Sequence, residues 1–149
     1  MNTQDIQLSE HFKLSEMTIS GTAIRRGIDN SAGAEHIEAL RHLCRDVLEP
    51  LRRRFGVIHI SSGYRCQQLN AAVGGVKNSQ HMRGEAVDIH MSSVEQAHRW
   101  TDYAMEQQLP FDQMLIERRL SNGCCWLHIS HIHQPGRRQN RQQVLQLDV

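Results

Sequence analysis

Four short stretches of the chain alternate residues with a period of two, and the alternates to their apolar positions include histidine and carboxylate side chains. They are Ile58-His59-Ile60, Val87-Asp88-Ile89-His90, Met114-Leu115-Ile116-Glu117 and Leu127-His128-Ile129. Successive side chains of a strand point to opposite faces, so each stretch reads as a half-buried strand. Ile58, Ile60, Val87, Ile89, Met114, Ile116, Leu127 and Ile129 then share one face, and His59, Asp88, His90, Glu117 and His128 share the other. This pattern predicts an α+β fold: an antiparallel sheet of about four strands, helices on its apolar face, and a metal-site candidate on the opposite face.

From Ile37 the apolar residues Leu40, Cys44, Val47, Leu48, Leu51 and Phe55 recur at steps of three and four, the stripe of an amphipathic helix. Asp29-Asn30-Ser31 offers caps before it, Gly56 a stop after it, and Pro50 should kink or restart it. Val57–Ser61 is the first strand and Ala86–Met91 the second, separated by a turn-rich stretch with one helical turn near residues 66–72. Ser92 or Ser93 caps a second main helix to about Gln107. The last two strands, about Phe111–Leu120 and Cys124–Ser130, are joined by Asn122-Gly123, a hairpin signal because both central residues of a type I′ turn need positive φ. A two-residue turn there sets Glu117 opposite His128 and Arg119 opposite Trp126.

A length of 149 residues supports one domain over 1–149, with a core at about 10–133 and a polar tail, 134–149, left outside it. Seventeen Lys and Arg against sixteen Asp and Glu leave a net charge of +1, which speaks against a nucleic-acid partner. No stretch approaches the ~20 apolar residues of a membrane span, and the N-terminus lacks the apolar core of a secretory signal. The expectation is a monomer made in the cytoplasm, without a membrane partner. Cys44, Cys66, Cys124 and Cys125 show no CxxC spacing and are expected as reduced thiols.

The densest chemical signal is Ser79-Gln80-His81-Met82-Arg83-Gly84-Glu85-Ala86-Val87-Asp88. A loop histidine followed seven residues later by a strand aspartate could bring both onto one Zn²⁺, with His128 as a third ligand. Three protein ligands leave a position for water, the catalytic arrangement. His131 and His133 extend the last strand and read as a solvated strand end rather than extra ligands. His59 and His90 are candidates for supporting partners.

Five strings occur in order: SGYR at 62–65, LNxxVGG at 69–75, SQHxxGxAxD at 79–88, FDQMLIE at 111–117 and WLHIS at 126–130. Together with HFKLSEMTIS and GIDN near the start, they resemble the peptidase M15 family over roughly residues 10–130. That family comprises zinc D-Ala-D-Ala carboxypeptidases, related dipeptidases and phage lysins. The resemblance implies a Hedgehog/DD-peptidase-like fold, zinc on His81, Asp88 and His128, and Arg65 as receiver of the substrate carboxylate. It also places Ser79 near the site. Trp126 either stacks on substrate or shields the site.

One position departs from the pattern. Some branches carry the catalytic acid three residues before the last zinc histidine, where this chain has Cys125. The hairpin register offers Glu117 instead, as general base and acid. The expected function is zinc-dependent hydrolysis of peptidoglycan stem peptides, of D-Ala-D-Ala carboxypeptidase or endolysin type, acting on the wall if released. The alternative is a catalytically silent zinc or wall-binding module of a phage or prophage. A nucleic-acid binder, suggested by Arg52–Arg54 and the arginine-containing tail, is disfavoured by the net charge.

Overall fold

The computed structural model describes residues 5–133 and 138–149. Two short helices, α1 (Leu14–Thr18) and α2 (Gly21–Arg26), precede the long apolar stripe. The stripe folds as α3 (Ala34–Leu43), a π-helical stretch at Cys44–Leu48, and α4 (Glu49–Phe55), without interruption. Pro50 lacks an N–H, and its ring would crowd the carbonyl of Asp46 in an ordinary α-turn. The widened π stretch contains Asp46, so the expected kink is absorbed there. Cap residues differ from expectation: α3 starts after Gly33, and Asp29 instead accepts from the backbone N–H and hydroxyl of Ser31.

β1 (Ile60–Ser62), β2 (Ala86–Met91), β3 (Gln113–Arg118), β4 (Cys125–Ser130) and β5 (Gln143–Asp148) form one sheet in the order β1-β2-β4-β3-β5. Every pairing is antiparallel except β3 with β5. Between β1 and β2 lie α5 (Gln67–Ala72) and a 3₁₀ turn (Gln80–Arg83), and α6 (Val94–Glu106) follows β2. Ser93 caps α6, its hydroxyl accepting from Gln96 N–H at 3.0 Å.

The predicted apolar face is the core. Ile58, Val87, Ile89, Met114, Ile116, Leu127 and Ile129 are buried, packed with Leu40, Leu43, Val47 and Leu51 of the long helix and Ala97, Trp100 and Ala104 of α6. Ile60 is half-buried at the edge. The fifth strand comes from the tail that the sequence reading left outside the core; most of it is exposed, but Val144 packs against the core and the strand closes the edge of β3.

The hairpin register corrects the expectation. Glu117 pairs with Trp126, and Leu115 pairs with His128, a slip of two residues. Arg119 N–H donates to Cys124 O at 2.7 Å, enclosing the four-residue loop 120–123. Gly123 has φ +74, but Asn122 does not adopt positive φ, so the type I′ turn does not form. A slip of two preserves the face, because strand side chains repeat every second residue. Glu117 therefore stays on the side of His128 as its diagonal neighbour.

A bulge in β1 does the opposite. Ile60 pairs with Ile89 but Ser62 pairs with Asp88, so one extra residue turns Ser62 away from the core and onto the chemical face.

Candidate active site

The chemical face of β2, β4 and β3 forms the floor of a cavity of about 830 Å³, walled by α2, α5 and the 3₁₀ turn. Asp88, His128, Glu117 and Trp126 line it from the sheet, and Arg65, Ser79 and His81 from the loops. The seven residues read from the sequence as ligands, catalytic groups or substrate contacts thus share one cavity. His59 and His90, in contrast, are exposed and do not line it.

Asp88 sits between the two histidines. His81 Nε2 lies 3.3 Å from Asp88 Oδ2, and His128 Nδ1 lies 3.0 Å from Oδ1. Burial alone would raise the Asp88 pKa; the contacts with His128 and His81 overcome it and hold the carboxyl well below the usual range. The ligand atoms of the three residues lie within 4.8 Å of one another. Ligands at about 2.0–2.2 Å from a tetrahedral Zn²⁺ stand roughly 3.3–3.6 Å apart, close to the two histidine–aspartate distances.

The loop that presents His81 is fixed at several points. Ser79 caps the 3₁₀ turn, its hydroxyl accepting from His81 N–H at 3.2 Å. His81 Nδ1 lies 2.7 Å from Gly63 O, so the ring donates there and leaves the Nε2 lone pair for a cation. Gly63 itself has to be glycine, since a Cβ would collide with the backbone of Met17. Tyr64 N–H bonds that same Met17 carbonyl at 2.7 Å.

Arg65 is anchored through part of its donor set. Nε donates to Ser62 Oγ at 3.2 Å and one terminal nitrogen to Asn70 Oδ1 at 2.9 Å, while the other lies 3.6 Å from Asp88 Oδ2. The guanidinium has five N–H groups, so the anchored plane still presents free donors to the cavity. Gly75 keeps this space open, because a Cβ there would meet Asn70 Oδ1 and the Arg65 guanidinium.

Glu117 is half-buried, and burial raises its pKa, helped by the negative charge of Asp88 and opposed by His128 and Trp126. Cys125 lies among the buried core residues, on the opposite face of β4 from His128. Its side chain does not reach the cavity, so the missing acid at that position leaves Glu117 as the carboxylate beside the triad.

Two residues that position the site escaped sequence reasoning in that role. Asn30, assigned there to a helix cap, is buried and bonds Thr18 O, Tyr64 O and Cys66 N–H, clamping the backbone on both sides of Arg65. Asn70 holds Arg65 and donates to Val76 O. The strings GIDN and LNxxVGG contained both. His131 corrects another expectation: it is buried, with Nδ1 2.6 Å from Pro110 O, and His133 stacks on His42 at 4.5 Å.

A second group with metal-binding spacing, Glu10, His11 and Glu49, is a structural bracket. Glu49 there already accepts from Ser9 Oγ and His11 N–H. All four cysteines are free, and no described helix is long and apolar enough to cross a membrane.

No curated protein sequence matches the chain significantly. The family model for peptidase M15 matches residues 10–130, a span that includes every residue of the cavity floor and both loops above it. With that match over most of its length and a histidine–aspartate cage at the centre of the matched region, the chain belongs to the peptidase M15 family and is metallopeptidase-like.

Proposed function

We propose that this protein is a zinc peptidase that hydrolyses peptide bonds in bacterial peptidoglycan stems, next to a D-amino acid. The observation that carries this reading is the convergence of His81, Asp88 and His128 with Glu117 and Arg65 in one cavity. His81 through Nε2, His128 through Nδ1 and Asp88 through its carboxylate would hold the ion. Zinc bound there would supply a polarised carbonyl and a water whose pKa is lowered to about 7.

The chain's own groups do the remaining work. Arg65, anchored on Ser62 and Asn70, takes the terminal carboxylate of the substrate through its free N–H groups, a planar recognition that a lysine does not reproduce. Glu117 takes the proton of the attacking water and returns it to the leaving amine; its raised pKa suits both halves of that task. Trp126 walls the cavity beside Glu117. The silent-module alternative rests on Cys125 standing where an acid is expected; Glu117 in the cavity is the carboxylate that weighs against it.

Mass analysis of muropeptides after incubation with the zinc-loaded protein tests the reading. Loss of one D-Ala identifies a carboxypeptidase, and release of stem fragments an endopeptidase; a chelator should abolish either. Unchanged muropeptide masses with stoichiometric zinc bound would overturn the proposal.

A further inference from the structure

The cavity walls carry more positive charge than their own acids balance. Arg25, Arg65 and Arg119 line the cavity against Asp88 and Glu117. Among the described residues, neither Arg25 nor Arg119 forms an ion pair with a carboxylate, whereas neighbouring Arg118 is paired with Asp148 at 3.2 Å. A divalent ion in the histidine–aspartate cage would widen the imbalance further.

Of the two unpaired cations, Arg119 is the better placed. Its backbone is fixed by the bond to Cys124 O, and its guanidinium lies over the Trp126 indole, 5.4 Å from the ring centroid. Such stacking orders the cation while leaving its N–H edge free to donate. Trp126 is also the register partner of Glu117, so Arg119 adjoins the proposed acid and base. Arg25 instead donates to Thr22 Oγ1 within its own helix, on the far wall.

The sheet order sets the path a ligand has to take. Arg65 leans on Asp88 of β2, His128 belongs to β4, and Arg119 follows β3. Trp126, under the Arg119 guanidinium, stands one inter-strand step of about 4.8 Å and two residues of about 3.4 Å each from Asp88, against which Arg65 rests, so the two guanidinium groups lie on the order of 10–15 Å apart. An extended peptide covers that distance in roughly three to four residues.

We propose that Arg119, held on Trp126, is a second anion subsite, taking a substrate carboxylate about three to four residues before the C-terminal one that Arg65 receives. The preferred substrate is then an acidic peptide with two carboxylates, one at each end of the cavity. This rests on the peptidase reading above and extends it from the scissile bond to the residues before it.

The test uses two peptides that differ only in carrying a carboxylate or its carboxamide at that upstream position. The wild-type enzyme should show a KM about 10-fold lower for the acid, the scale of a charge-assisted hydrogen bond. Arg119→Gln should erase this preference, the change falling on the KM ratio of the two peptides, and Arg25→Gln should keep it. An equal loss on both peptides in Arg119→Gln, or a preference that survives it, would overturn the subsite. Calorimetric binding of both peptides to a zinc-loaded Glu117→Gln variant, with and without Arg119→Gln, separates the two claims. An acid preference that depends on Arg119 there, without any wild-type turnover, upholds the subsite and sinks the peptidase reading.

Discussion

Asp88 and Asp112 are both withdrawn from water, and each is held far below the ordinary carboxylate pKa, yet their surroundings are built for opposite ends. Asp112, 0% exposed, receives two forked guanidinium groups: Arg138 at 2.6 and 2.9 Å and Arg141 at 3.0 Å through Nε and a terminal nitrogen. Arg141 N–H and Gln80 Nε2 add two more donors. Burial would raise the Asp112 pKa, and this set of N–H groups overcomes it. Its oxygens are saturated by donors that cannot be deprotonated, so the carboxylate serves as a latch that ties the C-terminal segment to the start of β3. Asp88 instead faces two imidazoles, whose ring nitrogens can offer lone pairs, and a guanidinium at 3.6 Å that stops short of a hydrogen bond. The difference teaches that the character of the partners, more than burial or pKa, separates a structural carboxylate from one suited to hold a metal ion.

Exchanging the two carboxylates for their neutral isosteres puts that contrast under the greatest load. Asp88→Asn should lose bound zinc and at least ~100-fold in turnover, since a neutral amide replaces an anionic ligand and the cage no longer forms. Asp112→Asn should retain one zinc per chain by elemental analysis. Equal zinc loss in both variants would erase the distinction.

Stability should show the reverse order. Asp112→Ala leaves two guanidinium groups without their acceptor and should cost about 3 kcal/mol, the lower end for breaking a buried pair, because both arginines are nearly half exposed and can turn to water. For a chain of this size that is roughly a 10 °C fall in Tm. A smaller fall than in Asp88→Asn, both measured without metal, would contradict the latch.

Acid should act on the latch in a defined direction. The folded Asp112 pKa is depressed below its unfolded value of about 3.9, so its stabilisation is fully present above that value and is lost as the pH falls below it. The stability gap between wild type and Asp112→Asn, measured in denaturant, should therefore be wide at pH 7 and narrow toward pH 3. A constant gap would assign the stabilisation to packing rather than to the charge.

The two regions also differ in how far the sequence disclosed them. Asp88 stands in a period-two strand beside residues of distinctive chemistry, so alternation put it on the right face, and the spacing to His81 suggested a shared ion. Asp112 sits just before β3, and its partners lie 26 and 29 residues further along in a run that reads as a solvated tail. Nothing local distinguishes an arginine that will fork onto a buried carboxylate from one that will face water. The hairpin occupies the middle ground: parity was legible and register was not, because parity follows from the two-residue repeat alone whereas register depends on the backbone angles of Asn122.

Gln80 bonds the latch and stands next to His81 of the cage, and changing it gives the smallest and most discriminating effect. Its Nε2 donates to Asp112 Oδ2 at 3.2 Å, and the next residue is His81. Gln80→Ala removes this bond but keeps the backbone carbonyl of Gln80, which accepts from Glu85 N–H at 3.1 Å and holds the 3₁₀ turn. Asp112 retains five other donors. The expected cost is therefore about 1 kcal/mol or less, the worth of one ordinary hydrogen bond. Zinc affinity should change by less than about 3-fold, since His81 keeps its cap on Ser79 and its bond to Gly63 O. A 10-fold or greater loss of affinity in a competition titration, the size associated with groups that orient metal ligands, would mean that the latch helps to aim His81. The two carboxylates would then belong to a single device, with the C-terminal arginines acting on the metal through Gln80.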